Sequence, residues 1–150
     1  MNLEAATLSK RVFAKILDVI IIYILMIISE LAITGAFIMI NRPDPVDDPG
    51  TVIWDFTRIT TILLVQSGIL LFYATFFLGR YGATPGKMAL RIKVVQVSGK
   101  PLTYGIALKR NLLEQLSLIT FGYGYLMAFI DEEHRTLHDK LCGTQVIDNE

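Results

Sequence analysis

The strongest constraint on this chain is the apolar run at residues 59–79, which contains no charged side chain. As a helix, about 21 residues extend about 30 Å, which matches the hydrocarbon thickness of a bilayer. Gln66 is the one strongly polar member of the run, and Arg58 and Arg80 stand at its two ends, where they can reach the headgroups. The run is therefore predicted to be a transmembrane helix.

Another apolar segment, residues 12–40, is also long enough to cross a membrane, although it contains Lys15, Asp18 and Glu30. It is much longer than the about 7–15 apolar residues of a signal peptide, so we predict a retained first span. Glu30 lies about 18 Å further along the helix axis than Asp18, which puts it at the opposite headgroup level.

Composition supports a membrane protein. Hydrophobic residues make up 53% of the chain and charged residues 19%, whereas soluble domains carry about 25% charged residues. So much apolar surface excludes a disordered chain, and a single cysteine excludes a disulfide scaffold.

The segments around the second span show turn and strand patterns. Residues 41–58 hold three prolines and four aspartates, which predicts an extended outer loop. After the second span, alternation over residues 89–97 and 101–104, with turn residues between them, predicts a β-hairpin. The β-branched run at residues 143–147 is predicted to add a third strand.

The third apolar region, residues 105–131, is interrupted by Arg110 and Glu114 in its first half and by Gly122 and Gly124 near its centre. Two interpretations stay open: one irregular span, or a re-entrant pair of helices that dips into the membrane. We favour the re-entrant pair, because the final strand then returns to the hairpin.

The distribution of basic residues predicts the orientation. Of the 14 Lys and Arg residues, three precede the core of the first span and seven lie in residues 80–110, from the end of the second span to the start of the third apolar region. By the positive-inside rule, the N-terminus and residues 80–104 are cytoplasmic and residues 41–58 are external. We expect this protein in the plasma membrane of a prokaryote.

Charged residues within the apolar regions form two patterns. Arg11, Lys15 and Asp18 share a helix face, which indicates a structural ion pair or, alternatively, a proton or cation relay through Asp18. Arg110 and Glu114 are spaced i, i+4, and a polar stripe of this kind cannot face acyl chains. It must face Asp18 and Gln66, a water-filled cleft or the cytoplasmic sheet. The stripe therefore indicates an interhelical polar network or, alternatively, a substrate or ion path.

Four motifs in this order resemble the RDD family of small membrane proteins: Arg11 with Asp18, then GATPGKMALRIKVV, then Arg110, then RTLHDKLCGTQVI. The family's name reflects an arginine and two aspartates, which match Arg11, Asp18 and Asp139. The resemblance implies a single RDD-type membrane domain over residues 1–150, for which transport has been suggested, and it implies no enzyme chemistry.

The last motifs predict a cytoplasmic junction where the turn after the second span meets the returning tail. Lys87 is expected at the membrane surface, in contact with anionic headgroups, and the sequence lacks the spaced glycines of a nucleotide loop. A metal site at Asp131, His134, His138 and Cys142 is disfavoured, because Gly143 ends any helix there. The junction residues are predicted to be Thr84, Lys87, Arg135, His138 and Asp139.

The predicted architecture is a mainly α-helical membrane protein with two full transmembrane helices, a third membrane-embedded helical region over residues 105–131, and a small cytoplasmic β element. We expect ion or small-solute transport through the intramembrane charged residues; the alternative is an accessory membrane protein whose sheet docks a partner. The expected partners are the lipid bilayer and either a second copy or another membrane protein. No cofactor, metal, nucleic acid or enzyme activity is expected.

Overall fold

Two long apolar helices make up almost half of the chain. The computed structural model describes residues 5–40, 49–119, 123–131 and 135–149, apart from the side chains of residues 49–52, 118, 119 and 123–126. In chain order the elements are α1 (Leu8–Ile40), α2 (Pro49–Tyr81), α3 (Pro85–Ala89), β1 (Ile92–Gln96), α4 (Tyr104–Ile119), α5 (Tyr123–Ile130), α6 (Leu137–Cys142) and β2 (Thr144–Asp148).

The two long helices confirm the predicted apolar segments. Both are long and apolar enough to cross a membrane, and only 6% and 11% of their most apolar stretches are buried within the protein. The core helix of a soluble protein would be mostly buried, so this exposure favours a lipid environment.

The predicted extended loop at residues 41–58 is wrong in its second half, because α2 begins at Pro49. Proline is tolerated at the first position of a helix, where its missing N–H has no partner to lose. Residues 41–48 lie outside the described residues.

The third apolar region contains two helices, α4 and α5. The eight residues of α5 extend about 12 Å, which is too short to cross a bilayer. In the described parts of the chain, neither helix adds to the two candidate spans.

The sheet differs from the predicted three-strand element. The final strand is confirmed, since β2 pairs antiparallel with β1 and Val146 lies opposite Val94. The predicted hairpin arm at residues 101–104 is wrong: Pro101 has no N–H for a ladder, and α4 begins at Tyr104. An isolated bridge from Ala5 to Ile147, which the sequence did not predict, adds one further contact to β2.

The chain divides into two compact units, unit 1 (Met1–Ile20 and Leu71–Glu150) and unit 2 (Ile21–Leu70). Unit 1 holds the hydrophobic core, which is built from Ala6, Ala14, Leu78, Ile92, Val94, Leu102, Ala107 and Val146. Unit 2 consists of the remaining parts of α1 and α2. Its Thr57, Thr60, Thr61 and Ser67 hydroxyls donate to carbonyls four residues earlier, which satisfies them within an apolar helix.

Candidate functional site

Asp18 is bound by neutral donors, not by the predicted basic partners on its own helix. Its Oδ1 accepts hydrogen bonds from the Tyr73 hydroxyl and the Gly86 N–H, each at 2.8 Å, and its Oδ2 accepts one from the Thr84 hydroxyl at 2.5 Å. The residue is only 4% exposed. The predicted ion pair of Asp18 with Arg11 and Lys15 is therefore wrong, because three donors from α2 and the following turn satisfy the carboxylate.

The turn before α3 is shaped to reach Asp18. Thr84 is the extended N-cap residue and Pro85 occupies the first turn of the helix, but the Thr84 hydroxyl does not cap its own helix. A β-carbon on Gly86 would overlap the carbonyl oxygen of Ala14 on α1. The start of α3 therefore docks directly on α1, and only glycine permits this close approach.

Asp139 joins four elements of unit 1. Its Oδ1 accepts hydrogen bonds from Arg110 Nε and Nη2 at 2.9 and 2.5 Å, and Arg11 Nη1 lies 3.8 Å from its Oδ2. Asp139 also forms a capping box with Thr136 at the start of α6 and accepts a hydrogen bond from the Thr144 hydroxyl at 3.2 Å. Burial is the largest single effect and disfavours its ionised form. The surrounding positive charges, that of Arg110 foremost, and the hydrogen bonds from Thr136 and Arg110 together outweigh burial and lower the pKa of Asp139 to about 2.

A cavity of about 360 Å³ lies next to this cluster within unit 1. Lys15 and Glu114 form an ion pair on its wall. Apolar side chains of α1 and α5 line the rest. The charged residues around the cavity are Arg11, Lys15, Lys87, Arg110, Glu114 and Asp139.

Two titratable groups on the cavity wall have shifted pKa values. Burial and then the charge of Arg110 lower the pKa of Lys87 to about 8, and the same two causes lower the pKa of His138 to about 4. His138 is therefore neutral at pH 7. Lys87 has no hydrogen bond or ion pair with any other described residue.

The predicted site residues fall into four groups. Thr84 and Asp18 bind each other and are not part of the cavity lining. Arg135 pairs with Asp131 at 3.1 Å and also lies outside the lining. Gln66 belongs to unit 2. The structure brings the others together around the cavity: Arg11, Lys15, Lys87, Arg110, Glu114, His138 and Asp139.

Sequence reasoning missed Tyr73 and Thr136. The spacing of Thr136 and Asp139 is that of a capping box and could have been found, whereas Tyr73 stands in an apolar run with no signal around it. His134, from the disfavoured metal site, lies outside the described residues. Within the described residues, no three His, Cys, Asp or Glu side chains are close enough to hold a metal ion.

The exposed apolar helices and the helical architecture define an integral membrane protein with a small antiparallel sheet. Residues 5–143 match the RDD family, which is nearly the whole chain. This chain belongs to the RDD family.

The chain is also similar in sequence to bacterial proteins of two kinds. "Proline-rich antigen homolog" from two strains of Mycobacterium tuberculosis is 33% identical over 67 residues, which cover 44% of this chain and 28% of the relative. "Uncharacterized protein YxaI" from Bacillus subtilis is 30% identical over 89 residues, which cover 59% of this chain and 58% of the relative. The matches thus span less than two thirds of each relative. No solved structure matches the chain.

Proposed function

We propose that this protein takes part in ion or small-solute transport and that the cavity of unit 1 is its solute site. One observation supports this proposal: in the part of the chain that the structure describes, four basic and two acidic side chains surround the same cavity. Charges in a poorly hydrated site are costly unless they are paired or bind a ligand, so such clusters mark solute paths in membrane proteins.

The contacts of Asp18 favour an anchoring role over the alternative of a proton relay. Its two oxygens already accept three hydrogen bonds from Tyr73, Thr84 and Gly86. A group that relays protons needs an oxygen that can accept a proton from water or a neighbouring group and pass it on. The proposal therefore assigns solute contact to Lys15, Glu114 and Lys87 and assigns Asp18 to holding the turn before α3.

The sheet supports a topology in which both ends of the chain lie on the same side of the membrane. Ala6 N donates to Val146 O at 3.0 Å, and β2 pairs with β1. The excess of basic residues assigns that side to the cytoplasm of a prokaryotic cell. A reporter inserted at Gly99 is expected to react only from the cytoplasm and one at residue 48 only from outside; the reverse pattern would contradict this orientation.

The alternative function, a scaffold that docks a partner on the sheet edge, has less support. Ala5 bridges to Ile147 on the outer edge of β2, and Val94 N on β1 donates to the Gly82 carbonyl at 2.7 Å. A partner strand can pair with a sheet edge only through free backbone N–H and C=O groups, and several of these groups already bind other parts of the chain.

Because few helices enclose little space, we also propose that transport requires a homo-oligomer or another membrane protein.

Flux through liposomes tests the proposal. Purified protein is reconstituted with an enclosed pH-sensitive dye, and flux is measured under imposed gradients of Na⁺, K⁺ and inorganic phosphate. We expect flux in the wild type, a marked loss in Lys87→Gln, and unchanged flux in Lys100→Gln, which removes an exposed lysine in the turn after β1. Absence of flux under every gradient, or equal flux in both variants, would contradict the transport proposal.

A further inference from the structure

We propose that the cavity of unit 1 binds the phosphate group of an anionic membrane lipid, whose chain leaves along the exposed apolar side of α1. The inference rests on the cavity being the functional site proposed above. It concerns what occupies the cavity at equilibrium, and it is therefore testable without any flux.

The charges around the cavity match an anion. Among the described residues, the lining contains four cations and two carboxylates, which leaves a surplus of two positive charges when His138 is neutral. Glu114 is paired with Lys15, and Asp139 is shared between Arg110 and Arg11. Within the described part of the chain, Lys87 therefore has no carboxylate of its own, and a phosphate group would supply the missing negative charge.

Arg110 adds a directional donor. Its side chain is almost fully buried, and Nε and Nη2 both donate to Asp139. Its Nη1 is buried and has no hydrogen-bond partner within the described part of the chain. Buried N–H groups are normally satisfied, and guanidinium groups suit phosphate oxygens. The Arg110 side chain thus offers an unused donor at the cavity.

The apolar wall explains why the phosphate belongs to a lipid. Val12, Ile16, Val19 and Ile20 line the cavity from α1 at the spacing of one helix face, and each is about half exposed. Phe129 of α5 extends the same wall and is also exposed. A free hydrophilic anion gains nothing from these side chains, whereas an acyl or isoprenoid chain buries them.

The size of the cavity fits a head group. Small-molecule sites usually enclose about 300–1,000 Å³, and this cavity has about 360 Å³. A complete lipid exceeds that volume. Only the phosphate and the first part of the lipid would be enclosed, and the chain would follow α1, a candidate membrane span.

Spin-labelled lipids test the inference directly. Protein is reconstituted in phosphatidylcholine vesicles with trace spin-labelled phosphatidic acid or spin-labelled phosphatidylcholine, and the motionally restricted fraction gives their relative association constants. We expect phosphatidic acid to be preferred by about fivefold or more. Lys87→Gln should abolish most of the preference, Lys87→Arg should retain it, and the matched control Lys100→Gln should leave it unchanged.

Two further measurements distinguish a lipid phosphate from free inorganic phosphate as the ligand. Inorganic phosphate at millimolar concentration should not displace the spin-labelled lipid, and Ile16→Ser should weaken lipid association. Equal association of the two lipids, equal effects of Lys87→Gln and Lys100→Gln, or full displacement by inorganic phosphate would each overturn the inference. Lipid preference without flux would contradict only the transport proposal, and flux without lipid preference would contradict only this inference.

Discussion

Units 1 and 2 contain parts of the same two long helices but are stabilised in different ways. Unit 1 has a buried hydrophobic core and buried charged groups such as Asp139 and Arg110. In unit 2, large apolar side chains such as Leu31, Ile53 and Leu63 are well over half exposed. One end of an apolar helix can therefore be stabilised by side-chain packing within a compact unit. The other end of the same helix can be stabilised by the surrounding hydrocarbon of the membrane.

The largest expected effect comes from the buried charge cluster of unit 1. Asp139→Ala removes the partner of Arg110 and the capping box of α6, so we expect a loss of about 3–5 kcal/mol in the free energy of unfolding. The matched control is Asp148→Ala, which breaks the more exposed pair with Lys10 and should cost no more than about 1 kcal/mol. Similar losses in detergent unfolding curves would contradict the central role of Asp139.

Leucine truncation compares the two units directly. Leu78 is 1% exposed in the core of unit 1, and Leu63 is 59% exposed in unit 2. Leu78→Ala should lower the free energy of unfolding in detergent by about 2–5 kcal/mol, and Leu63→Ala should change it by less than about 0.5 kcal/mol. An equal cost at both positions would show that the apolar surface of unit 2 is packed against protein.

Acid should destabilise unit 1 through His138. Burial lowers the pKa of His138 to about 4 from an ordinary value of 6.5, so the unfolded chain binds the proton more readily between these pH values. The contribution of His138 is complete above pH 6.5 and is lost as the pH falls through about 4, by up to about 3 kcal/mol. His138→Gln should flatten this part of the stability profile. An unchanged acid profile in that variant would contradict a buried neutral imidazole.

Asp18 has a smaller expected effect. Asp18→Leu leaves three donors on Tyr73, Thr84 and Gly86 without an acceptor, which should cost about 1–3 kcal/mol. Asp18→Asn keeps an acceptor and should cost less. Glu30→Gln, at an exposed position of unit 2, should change the melting temperature very little. If Asp18→Leu were as heat-stable as wild type, the anchoring role would be wrong.

The sequence predicted those features that depend on local pattern. Long apolar runs predicted α1 and most of α2, and the β-branched run after Gly143 predicted β2. Local reasoning failed at Pro49 and Pro101, because a proline can either begin a helix or end a strand. Which of the two occurs depends on the neighbouring segments.

The sequence selected most of the charged residues that line the cavity, but it did not predict which residues they bind. Helical spacing grouped Arg11, Lys15 and Asp18 on one face, yet each binds a different element. These partners are 55 to 135 residues away in sequence, and nothing in the spacing along one helix selects them. The docking of the start of α3 on Ala14 brings Thr84 and Gly86 to Asp18.

The surplus positive charge of the cavity is the central claim, and the titration of Lys87 tests it most directly. Carbon-13 NMR of reductively dimethylated protein, with the signal assigned by its loss in Lys87→Gln, would give the pKa of Lys87. We predict a value of about 8 that rises when phosphatidic acid is added, because a phosphate stabilises the charged amine. A value near 10.5 with and without the lipid would contradict the claim. The charged and titratable groups that act on Lys87 are Lys15, Asp18, Arg110, Glu114 and His138.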